Sequence, residues 1–170
     1  MKKILLALLL VSYVVAGDNI YKKEINENYD SYYPKLKKEL EINHVNVVSE
    51  MDLIERFTQA GYAKKFGKDF NKNHLEKVTS LILCNGYIGN QVSNIDVTMM
   101  AFCPIRLTVL KQGDKTIVLY VKSAPNASNP KVVPLLKTLD TVVINTVNLT
   151  KDNYMEKAYS NTFGPNHAED

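Results

Sequence analysis

The sequence predicts an α+β domain, with a small, mainly antiparallel sheet of about four to five strands packed against two to three helices. Three observations point there. Apolar, β-branched runs crowd between Val78 and Lys122. Helical spacing of apolar residues recurs on either side of that region. No internal repeat or long linker divides the chain, so one domain is the economical organisation.

The elements follow in order. Residues 18–43 form a lead-in plus one short helix. Asp18 to Asp30 is polar and Asn-rich and reads as loosely ordered. Ser31 to Glu41 places Tyr33, Leu36 and Leu40 on one face, with Pro34 in the first turn, where a missing N–H costs nothing. Residues 44–150 form the domain. His44 to Val48 is a short β-branched run, read as a strand. Ser49-Glu50-Met51-Asp52 resembles a capping box opening a helix, with Met51, Leu53, Ile54, Phe57 and Gly61 on one side and an end near Gly67. Lys68 to Lys77 is a polar loop.

Val78 to Cys84 is too apolar for an exposed edge and reads as a central strand ended by Asn85-Gly86. Tyr87 to Asp96 suits one or two helical turns, and Val97 to Cys103 is a second apolar segment read in extended form. Pro104 removes a ladder donor, so a strand must break there. Ile105 to Leu110 and Lys115 to Lys122 flank the polar Lys111-Gln112-Gly113-Asp114, the clearest hairpin in the chain. Ile105, Leu107 and Val109 line one face of it, with Ile117, Leu119 and Val121 on one face of the partner strand. Pro130 or Pro134 opens a last helix striped by Leu135, Leu136, Leu139, Val142, Val143 and Val147. Residues 151–170 read as a polar, frayed tail.

Met1 to Gly17 has the three parts of a secretory signal. Lys2 and Lys3 precede the apolar run Ile4 to Val11, and Val14 and Ala16 suit a cleavage site near Ala16 or Gly17. The expectation is a periplasmic or secreted bacterial protein with no stable membrane insertion after cleavage. The chain holds 21 basic and 18 acidic residues. Without Lys2 and Lys3, 19 basic residues face the same 18 acidic ones, a net of +1. A near-neutral chain has no broad electrostatic reason to seek nucleic acid.

The catalytic signatures G-x-S-x-G, G-x-x-x-x-G-K-[ST], H-E-x-x-H and C-x-x-C do not occur in the sequence. The densest constellation joins Cys84-Asn85-Gly86-Tyr87 to Met99 through Arg106. Two cysteines in an exported chain favour pairing, and a Cys84–Cys103 bond closing a loop of about 20 residues would stabilise the fold by roughly 3 kcal/mol. Two readings compete with a plain disulfide. A soft-metal site for copper or zinc would use Cys84, Cys103, Met99 and His44. Met99 and Met100 are adjacent, so on a strand at most one of them points to such a site. A redox dithiol would use the same cysteines with Arg106 beside them. No cofactor is otherwise implied.

At these residues the chain resembles the domain-of-unknown-function 302 family of small bacterial α+β domains. A helix ending in a Gly-containing turn leads to a strand closing in Cys84-Asn85-Gly86. There follow Cys103-Pro104-Ile105-Arg106-Leu107-Thr108-Val109-Leu110, a short polar turn, and Thr116-Ile117-Val118-Leu119-Tyr120-Val121. The similarity spans His44 to Val147. Cys84 stands where many members have a Gly-Asn-Pro-like turn, which places the chain in an exported, cysteine-bearing subgroup. The family implies a fold and no activity.

The reading that results is a non-enzymatic binding or accessory domain. It would take an unknown small ligand or a periplasmic protein as partner, with a homodimer formed through a sheet edge or helix face. Asn85, Tyr87, Arg106 and Tyr120 are the candidate ligand-binding residues. The alternatives are the thiol-redox or soft-metal protein above and a hydrolase drawing on Asp52, Glu55, His44 and Tyr87.

Overall fold

The computed structural model of the chain describes residues 19–149 and 157–158. The export signal and nearly all of the C-terminal tail, as read from the sequence, fall outside the described residues.

Five strands form one sheet: β1 (Ile20–Ile25), β2 (Asn46–Asp52), β3 (Lys77–Cys84), β4 (Ile105–Gln112) and β5 (Lys115–Val121). Their order is β1-β5-β4-β3-β2, and every neighbouring pair is antiparallel. The helices are α1 (Tyr29–Ile42), α2 (Leu53–Gln59), α3 (Tyr62–Phe66), α4 (Gly86–Ile95) and α5 (Val133–Val147). The α+β class and the antiparallel sheet read from the sequence hold.

The core lies between one sheet face and helices α1 and α5. Alternation along the strands sends Leu81 and Leu83 of β3, Leu107 and Val109 of β4, and Val118 and Tyr120 of β5 to that face, all essentially without solvent exposure. Leu36 and Leu40 of α1 and Leu136, Val142 and Val143 of α5 meet them. Hydrogen bonds tie the layers together: the Tyr29 hydroxyl lies 2.6 Å from Thr79 Oγ1, and the Tyr32 hydroxyl donates to the Val147 carbonyl at 2.7 Å. Asn43 Nδ2 donates to Thr146 Oγ1 at 3.0 Å. A backbone carbonyl or hydroxyl buried this deeply needs such a partner.

Several local readings change. Asp18–Asp30 is not a loose lead-in, because Ile20–Ile25 pairs with β5 as an edge strand. Its alternation turns Tyr21 and Ile25 toward the core, but Lys22, Lys23 and Glu24 between them mask the period. Such charges also blunt an edge strand against stray pairing. Ser49 to Met51 belongs to β2, and Asp52 alone caps α2, accepting from Ile54 N at 2.9 Å and Glu55 N at 3.2 Å. The expected helix to Gly67 is broken at Gly61, whose φ of +78° is left-handed.

In β5 the inward face is Thr116, Val118 and Tyr120, set by the register Leu107↔Tyr120 and Val109↔Val118. Ile117, Leu119 and Val121 share the opposite face, and Val121 is exposed. Val97 to Phe102 is a 3₁₀ turn, not an extended segment. Asp96 nucleates it by accepting from Thr98 N at 3.0 Å, while its other oxygen accepts from Asn129 Nδ2 at 2.8 Å. β4 begins directly after Pro104, at the break the proline requires, and the Cys103–Pro104 peptide is cis. Among the described residues no helix is long and apolar enough to cross a membrane.

Candidate functional site

β3 and β4 are antiparallel neighbours with Leu83 opposite Ile105. The chain leaves β3 at Cys84, makes α4 and the 3₁₀ turn, and returns at Cys103, one step before β4. The two cysteines therefore meet because of antiparallel register rather than a crossover between parallel strands. Their sulfurs stand 3.8 Å apart and both thiols are free. A disulfide requires about 2.05 Å.

The pair lines a small, mostly apolar cavity of about 20 Å³, room for one water. Ile88, Gly89 and Val92 of α4, Leu136 and Leu139 of α5, and Met99 and Met100 complete much of its wall. Both methionines reach it because a 3₁₀ turn, unlike a strand, does not send adjacent side chains to opposite faces. Met99 Sδ also lies 3.8 Å from Ser128 Oγ. Burial pushes the Cys103 thiol up to about 11, reinforced by its hydrogen bond to Cys84 and by that neighbour's charge.

Asn85 is the positioning residue of this site. It is buried, its Oδ1 accepts from Ile88 N at 2.8 Å to cap α4, and its Nδ2 donates to the His44 carbonyl at 3.0 Å. That capping fixes the start of the helix against Cys84. His44 itself has a φ of +54° and contributes its backbone here; its side chain is not part of the cavity wall. Nor are Tyr87, Arg106 and Tyr120. Tyr87 is half-buried in the first turn of α4, and Arg106 is exposed on β4.

Tyr120 serves a separate buried network. Its hydroxyl donates to Asp140 Oδ1 at 2.7 Å, and the same carboxylate accepts from Ser123 N at 2.8 Å and Ala124 N at 3.0 Å. Burial and the adjacent carboxylate raise the Tyr120 pKa well above its ordinary value. The sequence reading passed over Asp140, although its spacing from Leu136 and Val143 puts it on the buried stripe of α5.

The hydrolase quartet separates. Asp52 and Glu55 share a polar cleft of about 380 Å³ with Glu50, Tyr29, Tyr33 and Lys77; His44 and Tyr87 are elsewhere. Asp52 is committed to capping α2, and Glu55 Oε1 accepts from Gln59 Nε2 at 2.9 Å. Tyr33 donates to Glu50 at 3.0 Å, and that bond, with Lys37 nearby, holds the Glu50 carboxyl below its usual range. Another opening, about 680 Å³, lies between α2–α3 and the loop leading to β3.

The fold has a counterpart among solved structures. An uncharacterised conserved DUF302 protein from Bacillus stearothermophilus superposes with a TM-score of 0.66 at 15% identity, over 78% of this chain and 98% of that one. No curated protein matches the chain. The family model described as "Domain of unknown function DUF302" matches residues 21–148, so the match begins well before His44 and takes in β1 and α1. Running from Tyr21 to Asn148, well over half of the chain, that match places this chain in the DUF302 family.

Proposed function

We propose that this chain is an exported, non-enzymatic accessory domain whose Cys84–Cys103 pair closes reversibly to a disulfide. The observation that carries the reading is the 3.8 Å separation of two free sulfurs at the ends of one connection. Closure would staple the segment 85–102, and with it α4, to the β3–β4 edge. The step is thiol–disulfide exchange with a disulfide-bearing small molecule or periplasmic protein. One sulfur attacks the incoming disulfide and expels a thiolate; the second then attacks the mixed disulfide. Two thiol protons and two electrons leave the pair, and the partner disulfide becomes two thiols. The elevated Cys103 pKa favours a slow structural closure over catalysis, since oxidoreductase cysteines have depressed values.

Intact mass and alkylation of the protein exported by a bacterial host test this. Loss of two hydrogens and no alkyl uptake without reductant, reversed by dithiothreitol, is expected. Two fully alkylated thiols in material from an oxidising compartment would sink the idea.

A second reading has its own support. Two thiolates on one tetrahedral ion, each at about 2.3 Å, stand roughly 3.8 Å apart. Met99 and Met100 offer thioether sulfur to a copper or zinc ion held there. Native mass measurement after titration with either ion separates this from the staple. A retained ion that protects both thiols from alkylation favours the metal.

A further inference from the structure

The groove beside α2 and α3 is built unlike the rest of the surface. α2 and α3 bury no residue fully, yet Phe57, Tyr62 and Phe66 stay in ring contact, at 5.7 and 5.8 Å between centroids, while 42%, 39% and 51% exposed. Leu53, Ile54 and Val78 floor the same opening of about 680 Å³. An aromatic row held at a surface without being covered marks an interaction site.

The charge around it is lopsided. Residues 53–75 carry Arg56, Lys64, Lys65, Lys68 and Lys72 against Glu55 and Asp69, a net of +3. The chain from residue 18 onward nets +1, so everything else in it nets −2. Asp69 pairs with Lys72 at 2.7 Å. Lys65 lines the groove with its Nζ 5.7 Å from the Phe66 ring centre and meets no carboxylate among the described residues.

The geometry points to a binding site for a single anionic amphiphile, an acyl chain in the aromatic groove with its acidic head at Lys65. The apolar floor takes the chain by burial of methylenes, and Lys65, within a segment of net positive charge, selects the sign of the head group. A second copy of the same face is a poor occupant, because a two-fold contact would set +3 against +3. A lamellar surface offers the same acyl and anionic chemistry, and anionic vesicles distinguish that source from the single amphiphile.

Isothermal titration of the purified full chain with dodecanoate below its micelle concentration tests the site. Dodecyltrimethylammonium and phosphatidylglycerol vesicles serve as comparisons. Saturable binding of dodecanoate is expected, weakened about tenfold or more by Lys65→Glu with Lys68→Glu and by Phe66→Ser. The matched charge change Lys38→Glu with Lys131→Glu, away from the groove, leaves it within about twofold. Phe66 is half exposed, so its variant should keep the parent's circular dichroism; Lys65→Gln supplies a milder second variant. The site is overturned by equal binding of the cationic amphiphile, by indifference to the groove variants, by binding to vesicles alone, or by self-association that Phe66→Ser abolishes in place of ligand binding.

Discussion

Asn85 Nδ2 donates to the His44 carbonyl at 3.0 Å, a hydrogen bond that ties the start of α4 to the entrance of β2. The same side chain caps α4 through Oδ1. Replacement by Asp keeps the cap and loses the bond to His44; replacement by Ala loses both and leaves buried groups unpaired. Asn85→Ala should cost about 2–3 kcal/mol and Asn85→Asp distinctly less, read from urea denaturation. Equal losses would mean that the helix cap carries no share.

Asp140 holds three donors from β5 and the following turn at 6% exposure. Asp140→Ala strands all three, so a loss of about 3–5 kcal/mol is expected. Tyr120→Phe removes one donor and keeps the ring, for about 1–2 kcal/mol. A double variant losing less than the sum of the two single losses would identify them as one network.

Two glycines should respond with opposite sign. Gly89 lies within α4, and a Cβ there would meet Cys103 Sγ at 3.9 Å, an ordinary contact. Gly89→Ala should add about 0.5–1 kcal/mol by favouring the helix. Gly113, at the β4–β5 turn, has a φ of +57°, and Gly113→Ala should cost about 1 kcal/mol. Thermal melts of both variants decide it.

Alkaline pH should weaken the reduced protein in two stages. Cys103 is raised from 9.0 to about 11. Its contribution is therefore complete below pH 9 and lost as pH rises through 11. Tyr32, Tyr33 and Tyr120 are raised above 10.0, chiefly by burial, so their contributions persist to pH 10 and fade above it. The urea midpoint should be flat from pH 7 to 9 and fall beyond. In the Cys103→Ala variant the fall should begin about one unit later. Identical curves would show that the thiol plays no part.

Strands whose apolar residues alternate under cover were legible from sequence: Val78–Cys84 and the β4–β5 hairpin needed only periodicity and Gly113. β1 was not, because an edge strand can alternate tyrosine and isoleucine with lysines and still look polar. β5 was legible as a strand but not in facing, since Thr116 to Val121 is apolar on both sides and only the register with β4 chooses. The cysteine site was half legible. Cys84 and Cys103 were singled out as a candidate bonded pair; their sulfurs lie 3.8 Å apart with no bond between them. The inclusion of Met100 depended on Asp96 turning Val97–Phe102 into a 3₁₀ turn, whereas His44 falls outside because only its backbone, between α1 and β2, reaches Asn85. The aromatic groove escaped notice because Gly61 redirects α3, a tertiary consequence of one backbone angle.

The placing of β1 beside β5 also governs when the sheet can form. Ile20–Ile25 is the first of the described strands to be synthesised, yet its hydrogen-bonding partner is Lys115–Val121, about a hundred residues downstream. Until that last strand exists, the opening segment has nothing to pair with. β4 likewise has only one of its two neighbours. A chain ending short of Lys115 thus forfeits two of five strands, not one, and the buried stripe of α5 with them. Pairings of such long reach make folding slow. Completion of this domain waits on its second half, and a nascent chain stays open while the rest is still arriving.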